Sequence, residues 1–317
     1  MAKKVGIGVG IVIVLMTLAV LAASQTRTGQ NIYYAANYER TLDRYAQEDT
    51  TMTNVTSKVD PDGREAQLLS AFFGIDDALP FLANLAICTD AAGMDGMPVI
   101  FSHEVDLATL DPGDFRVTST SGAVGTVDCV TLAPADDPGE LRTALLVGQF
   151  GDPQDQPQSV EITGNVLSSE KAVNFKGAAV EVTPLEAGPS LVLAEIVPDY
   201  QWDLDREATP IPFGGGSSCP TGTAQILRVT WEGGITKPGG APAEIAEGRL
   251  YAVEIEVADG SPEVIAPFAL ADTGDGDNNH MLCLNRTEPV LSVSFPAGYV
   301  TDPRDDLNPA TSVEVTR

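Results

Sequence analysis

From Pro98 to the C-terminus the chain is written in short β-rich runs separated by turn residues, and this punctuation restricts the fold more than any other feature. Candidate strands fall at 99–102, 115–119, 125–132, 143–149, 159–163 and 178–183, and the breaks between them read DPGD, DDPGE and GDPQDQP. Runs of this length and spacing predict an antiparallel β-sandwich. A second block follows, with candidate strands at 191–197, 224–231, 250–257, 264–270, 281–284, 290–295 and 312–316. Within it LYAVEIEV (250–257) alternates cleanly, so one face is buried and the face of Glu254 and Glu256 is wet. Residues 184–189 form the seam, and no internal repeat relates the two halves. The expected fold class is therefore all-β, with two antiparallel β-sandwich domains at 85–186 and 187–317.

What precedes them reads differently. The run from Val5 to Ala23 carries no charge and follows Lys3 and Lys4. It is a little short of the roughly 20 residues that span a bilayer and longer than the core of about 7 to 15 residues usual in a signal peptide. Either reading means export, with the N-terminus left in the cytoplasm. Ala22, Ala23 and Ser24 supply a small-residue cleavage site, while the length favours a retained anchor in the inner membrane. Residues 1–27 are thus signal peptide or membrane anchor. Residues 28–84 are read as a helical stalk and linker: Tyr34, Tyr38, Leu42 and Tyr45 share one helical stripe, 50–63 is polar, and 65–81 has a second helical pattern that Pro80 would end.

Export places the protein in the periplasm or at the cell surface, and that compartment accounts for the cysteines. Cys88, Cys129, Cys219 and Cys283 are even in number, widely spaced and free of any CxxC pair, so disulfides are expected. Pairing within domains joins Cys88 to Cys129 and Cys219 to Cys283, one of three possible connectivities; it would clamp the GGGSSC segment (214–219) to the stretch that precedes Cys283. The charge balance is extreme: 45 acidic against 18 basic residues give a formal net charge of -27. Such a field repels phosphate backbones, so nucleic acid is excluded as a partner, and cations are attracted.

Oxygen donors are densest in ADTGDGDNNHMLC (271–283). Asp275, Asp277 and Asn279 stand two apart, with Asp272 just upstream, and Gly274 and Gly276 permit the positive φ angles of a tight loop. These four residues are the candidate calcium ligands. The loop is not an EF-hand, because His280 occupies the position of the invariant glycine and Arg286 that of the bidentate glutamate. Completion of the site from Asp302, Asp305, Asp306 and Asn308 is one expectation; a self-capping Asx turn that holds no ion is the other.

The stretch VIFSHEVDLATLDPGDFRVTSTSG (99–122) resembles the opening of bacterial Ig-like domains, with their I-x-F-S strand, following acidic-apolar segment and glycine turn. Over 98–183 that resemblance implies an adhesive or spacer module. LDRE (204–207), VADGSP (257–262) and DGDNNH (275–280) resemble cadherin motifs in order but not in spacing, which supports carboxylate clustering at a sandwich end.

The functional expectation is an exported cell-envelope binding or structural protein, calcium-stabilised, whose partner is another envelope or surface protein or a glycan. The alternative is an extracytoplasmic hydrolase using His280 and the loop carboxylates, with Ser217 or Ser218 as nucleophile. The G-x-S-x-G elbow is missing and the chain has two histidines, His103 and His280, too few for a zinc site beside oxidised cysteines. Tyr200, Trp202, Trp231 and Tyr251 are candidates for a carbohydrate platform.

Overall fold

The segment read as a second helix, 65–81, contains the central strand of a sheet. In the computed structural model, which describes residues 53–208 and 215–316, Leu68–Phe72 (LLSAF) is strand β1. It is bordered by β2 (Asp95–Phe101) on one side and β7 (Ala179–Thr183) on the other. A strand enclosed in this way is apolar on both faces, and over a few residues such a run has no periodicity to separate it from a buried helix. The anchor segment 5–23 and the tyrosine stripe lie outside the described residues. Among the described residues no helix is long and apolar enough to cross a membrane.

The first sheet adds β3 (Phe115–Ser119), β4 (Thr126–Thr131), β5 (Thr143–Gln149) and β6 (Pro157–Ile162) in the order β3-β6-β7-β1-β2-β5-β4. Its two edges meet. Gly125 N–H donates to the Val117 carbonyl at 2.9 Å and Ser119 N–H to the Ala123 carbonyl at 2.8 Å, so the sheet curls around its own core. That core includes Phe101, edge-to-face with Phe115 and Phe175.

The second sheet consists of β8 (Leu191–Ile196), β9 (Gln225–Trp231), β10 (Ala252–Glu256), β11 (Pro262–Ile265), β12 (Ala269–Ala271), β13 (Asn279–Leu284), β14 (Val290–Phe295) and β15 (Thr311–Thr316). The run at 264–270 splits into parts of β11 and β12, where Pro267 interrupts the ladder. Strand order is β11-β10-β14-β15-β8-β9-β13-β12. Trp231, Tyr251 and Phe295 pack together at the centre of its core, Trp231 edge-to-face with Phe295 and Tyr251 tilted against the same ring. With the extra edge strand β11 set aside, this is the order of the first sheet. In both sheets the first strand also pairs parallel with the last, β1 with β7 and β8 with β15. Neither sheet is purely antiparallel, and the halves repeat one topology although no sequence repeat announces it.

Both cysteine pairs join as the within-domain pairing requires. Cys88–Cys129 spans 41 residues and ties the β1–β2 connection, with its short helix α1 (Ala83–Ala86), to β4. Cys219–Cys283 spans 64 residues and ties the β8–β9 connection to β13.

Polar contacts then join sheet to sheet. Arg142 holds Glu195 through two bonds, Nε to Oε1 at 3.2 Å and Nη2 to Oε2 at 2.7 Å. Thr183 Oγ1 donates to Glu232 Oε1 at 2.7 Å, and Asn278 Nδ2 reaches Thr143 Oγ1 at 3.1 Å. Because β1 is central, a chain truncated to begin at residue 85 should lose the first sheet, whereas one beginning at residue 53 should keep it. Amide hydrogen exchange across β2 and β5 checks this; native-like protection in the shorter chain would show that β1 is dispensable.

Candidate metal centre at the junction of the two sheets

The loop 272–278 joins β12 to β13. Its course needs left-handed backbone at Asp272 (φ 61°), Gly274 (φ 97°) and Gly276 (φ 82°). The two glycines meet that need without a Cβ, and aspartate is among the residues that tolerate it. Asp272 N–H donates to the Ser217 carbonyl at 2.8 Å, and Cys219, two residues on, is bridged to Cys283 of β13. The described part of the GGGSSC segment therefore lies over the acidic loop as a backbone wall. It comes so close at Gly216 that a Cβ there would stand 2.5 Å from Asp275 Oδ2 and 2.7 Å from Asp272 Oδ1.

The carboxylates that join this loop come from the first sheet. The β4–β5 connection, read in the sequence as the turn DDPGE, carries Asp137 and Glu140 to Asp272, and one oxygen of each lies within 4.8 Å of the others. Asp275 and Asp277 complete the group, since their charges act on Asp272 and Glu140. All five side chains are buried.

Two guanidinium groups oppose them. Arg228 on β9, 3% exposed, sets Nε 3.8 Å from Glu140 Oε1. It also donates from Nη1 to the Gly139 carbonyl at 2.6 Å and from Nη2 to the Pro138 carbonyl at 3.3 Å. Arg206 Nη2 is 3.8 Å from Asp137 Oδ2. Both carboxyl oxygens of Glu140 and both of Asp272 are buried and receive no hydrogen bond from any donor among the described residues. Between two such groups only a shared proton or a cation converts repulsion into attraction. Burial first, then the charge of Asp272, raises the Glu140 carboxyl well above the ordinary range. Burial, then Asp277 and Asp275, pushes Asp272 up to about 8, and burial followed by Asp275 raises Asp277.

The donor set fits a hard cation. It is all oxygen, it is drawn from two sheets, and it offers enough carboxylate oxygens for the roughly six to eight that calcium takes. Zinc prefers nitrogen and sulfur, and the described donors of this group are all carboxylate oxygens. Three of the four residues singled out in the sequence, Asp272, Asp275 and Asp277, are thus brought together. Asn279 is placed otherwise: its Oδ1 accepts from Thr230 Oγ1 at 2.8 Å, while its backbone N–H and Nδ2 donate to the two oxygens of Asp277 at 2.9 and 3.1 Å. It positions a carboxylate. The acidic stretch 302–308 does not supply the missing ligands. Asp302 Oδ1 caps Arg304 and Asp306 N–H, and Asn308 Oδ1 accepts from Gly298, Tyr299 and Val300 N–H within its own turn.

The residues of the hydrolase alternative separate. Strand alternation turns His280 to the core face, where Trp231 Nε1 donates to Tyr251 Oη at 2.9 Å and Tyr251 Oη lies 2.9 Å from His280 Nδ1. Burial lowers the His280 pKa to about 4. Trp231 and Tyr251 are core residues. Trp202 Nε1 donates to the Val197 carbonyl, and Tyr200 alone of the four aromatic candidates is exposed.

With cations removed, the raised carboxyl groups bind more protons in the folded than in the unfolded chain. Stability should therefore be greatest below about pH 4 as far as these groups are concerned, and should fall as pH rises towards 8, through the folded pKa of Asp272. Chemical unfolding in chelator across that range measures it; stability that rises throughout would contradict the electrostatics of the cluster.

No family model and no curated protein matches the sequence. Solved structures of a bacterial surface-layer protein align with it weakly. The N-terminal part of the S-layer protein SbsC gives 11% identity and a TM-score of 0.26, over 96% of this chain and 60% of that one. Domains 1-6 of SbsC give 12% and 0.26, over 74% and 42%, and rSbsC(31-844) gives 12% and 0.27, over 90% and 51%. The chain spans between 42% and 60% of the length of these S-layer chains. At such TM-scores the alignments establish neither a common fold nor a common role.

Proposed function

We propose that this chain is an exported cell-envelope module with a binding or structural role, in which calcium braces two Ig-like units against each other. The observation that carries the reading is the junction: Asp137, Glu140 and Asp272 converge from both sheets with the buried Asp275 and Asp277 beside them, and neither Glu140 nor Asp272 receives a hydrogen bond from a donor among the described residues. A cation at that point neutralises the group and joins the β4–β5 connection to the β12–β13 loop, which makes it a brace between units rather than a local turn.

The Ig-like assignment is supported by strand order. The grouping β1-β2-β5-β4 with β3-β6-β7 corresponds to the two sheets of constant-type Ig domains, and β8–β15 follow it with β11 added. The first unit then begins upstream of residue 85, because β1 belongs to it, and the second follows the seam at 184–189. Export is supported by the uncharged run 5–23, whether retained in the inner membrane or cleaved, and by two disulfides, which persist in oxidising compartments. The partner in this reading is another envelope or surface protein or a glycan.

Thermal unfolding in calcium and in chelator tests the brace. A bound ion at 100 times its dissociation constant contributes about 2.7 kcal/mol, so the midpoint should rise by about 5 °C or more in calcium. Glu140→Gln and Asp272→Asn should abolish that rise. In chelator the same variants should be at least as stable as the parent chain, because each replaces a buried carboxyl that must otherwise be held protonated or repelled by its neighbours. An equal loss in both conditions would mean that the carboxylates serve the turns and hold no ion.

A further inference from the structure

A second feature of the junction borders the candidate cation site and shares Asp277 with it. Beside the acidic loop lies a cavity of about 290 Å³, lined chiefly by apolar side chains, among them Ile75, Leu79, Ile87, Leu132 and Leu145. Its wall is built with care for the Phe72 ring. A Cβ on Gly74 would stand 2.5 Å from that ring and one on Gly233, from the second sheet, 2.8 Å, so only glycine permits the two backbones to close on it. At the mouth, α1 and the residue pair before it present an apolar shelf to solvent: Phe81 is 76% exposed, Leu82 49% and Leu85 53%. Pro80 and Ala83 line the cavity, and in the chain they adjoin the shelf residues Phe81 and Leu82.

The rim is acidic. Asp76 and Asp77 stand between the lining residues Ile75 and Ala78, and the charges of Asp77 and Asp152 both raise the Asp76 carboxyl, after burial, which is the first cause. Asp77 also accepts from Gln149 Nε2 at 3.3 Å, which holds it over the end of β5. Against these three carboxylates stands Arg304, itself 3.6 Å from Asp306. An apolar hole of side-chain size, an exposed aromatic shelf and a net negative rim on a chain of charge -27 select against a second copy and for an occupant of opposite charge.

We propose that this cavity and shelf form a docking site for a cationic, apolar peptide segment of a partner protein. One leucine- or phenylalanine-sized side chain enters the hole, its neighbours lie on Phe81 and Leu85, and flanking lysine or arginine residues pair with Asp76, Asp77 and Asp152. The site names the chemistry of a partner for the envelope module proposed above, but it does not require calcium, and failure of the brace would leave it standing.

The test uses the full chain in nanodiscs of zwitterionic lipid, with empty nanodiscs as reference, and a 12-residue synthetic peptide of alternating Leu and Lys. Titration calorimetry should show saturable binding that weakens as salt rises. Phe81→Glu, at an exposed position, should weaken it by about tenfold or more. Asp77→Asn with Asp152→Asn should weaken it by about threefold or more and flatten the salt dependence. The corresponding Leu–Glu peptide should not bind. Equal binding of that peptide, or unchanged affinity in Phe81→Glu, overturns the proposal. So does a concentration-dependent dimer in sedimentation that Phe81→Glu dissolves, which would assign the face to a second copy.

Discussion

Five buried carboxylates set against two guanidinium groups are the constraint to which the junction is built. Arg228 shows how little compensation the protein supplies. Its Nη atoms are turned to the carbonyls of Pro138 and Gly139, so it shapes the β4–β5 connection as much as it neutralises Glu140. Gly139 is glycine at φ 89°, and a Cβ there would meet the guanidinium at 2.5 Å. The connection thus follows a path that only its Pro-Gly pair and this arginine allow, and that path delivers Asp137 and Glu140 to the other sheet. The electrostatic cost of the arrangement is large unless protons or a cation offset it.

Around that point the remaining contacts are arranged to prevent the sheets from separating. Glu195 is shared by Arg142, from the first sheet, and Arg228, from the second. Glu232 accepts from Thr183 and from the Ser190 N–H, one residue on each side of the seam. Asn278 donates to Thr143 and to the Trp231 carbonyl, so the acidic loop is fastened to both sheets before any ion is considered. The Cys219–Cys283 bridge and the wall at Gly216 close the loop from the outer side. A junction fastened at so many places by buried polar groups holds the two sheets in one orientation.

The topological repeat adds to this. Each half begins and ends on neighbouring strands that run parallel, which puts the chain entry and exit of each unit on adjacent strands but at opposite ends. The disulfides follow the same plan with a shift of one strand: each fastens the connection after the first strand, to β4 in one half and to β13, the counterpart of β5, in the other. Similar architecture with displaced bridges and unrelated side chains explains why the sequence carries no visible period. A sandwich core asks only for apolar residues at alternating positions, and many sequences satisfy it.

Strand positions were legible because alternation and turn residues are local properties. The strands at 115–119, 143–149 and 290–295 begin and end where the residues alone place them, and Gly274 and Gly276 adopt the positive φ that the loop required. The cysteine pairing was legible as the default of two units. Other features were not local. The run that forms β1 reads as helical because a short run buried on both faces has no period, and its paired neighbours are 28 to 33 residues away in β2 (Ala71 to Val99, Leu68 to Phe101) and 111 away in β7 (Ala71 to Val182). Asp137 and Glu140 looked like turn residues because their meeting with Asp272 depends on how one sheet lies on another. Asn279 looked like a ligand because spacing does not reveal which way a side chain at the start of a strand will face. By itself, then, the sequence determined an acidic, disulfide-stapled, all-β chain with one carboxylate-rich loop. The tertiary structure decided which carboxylates share a site, because that requires residues far apart in the chain to be brought within a few ångströms and shut away from water.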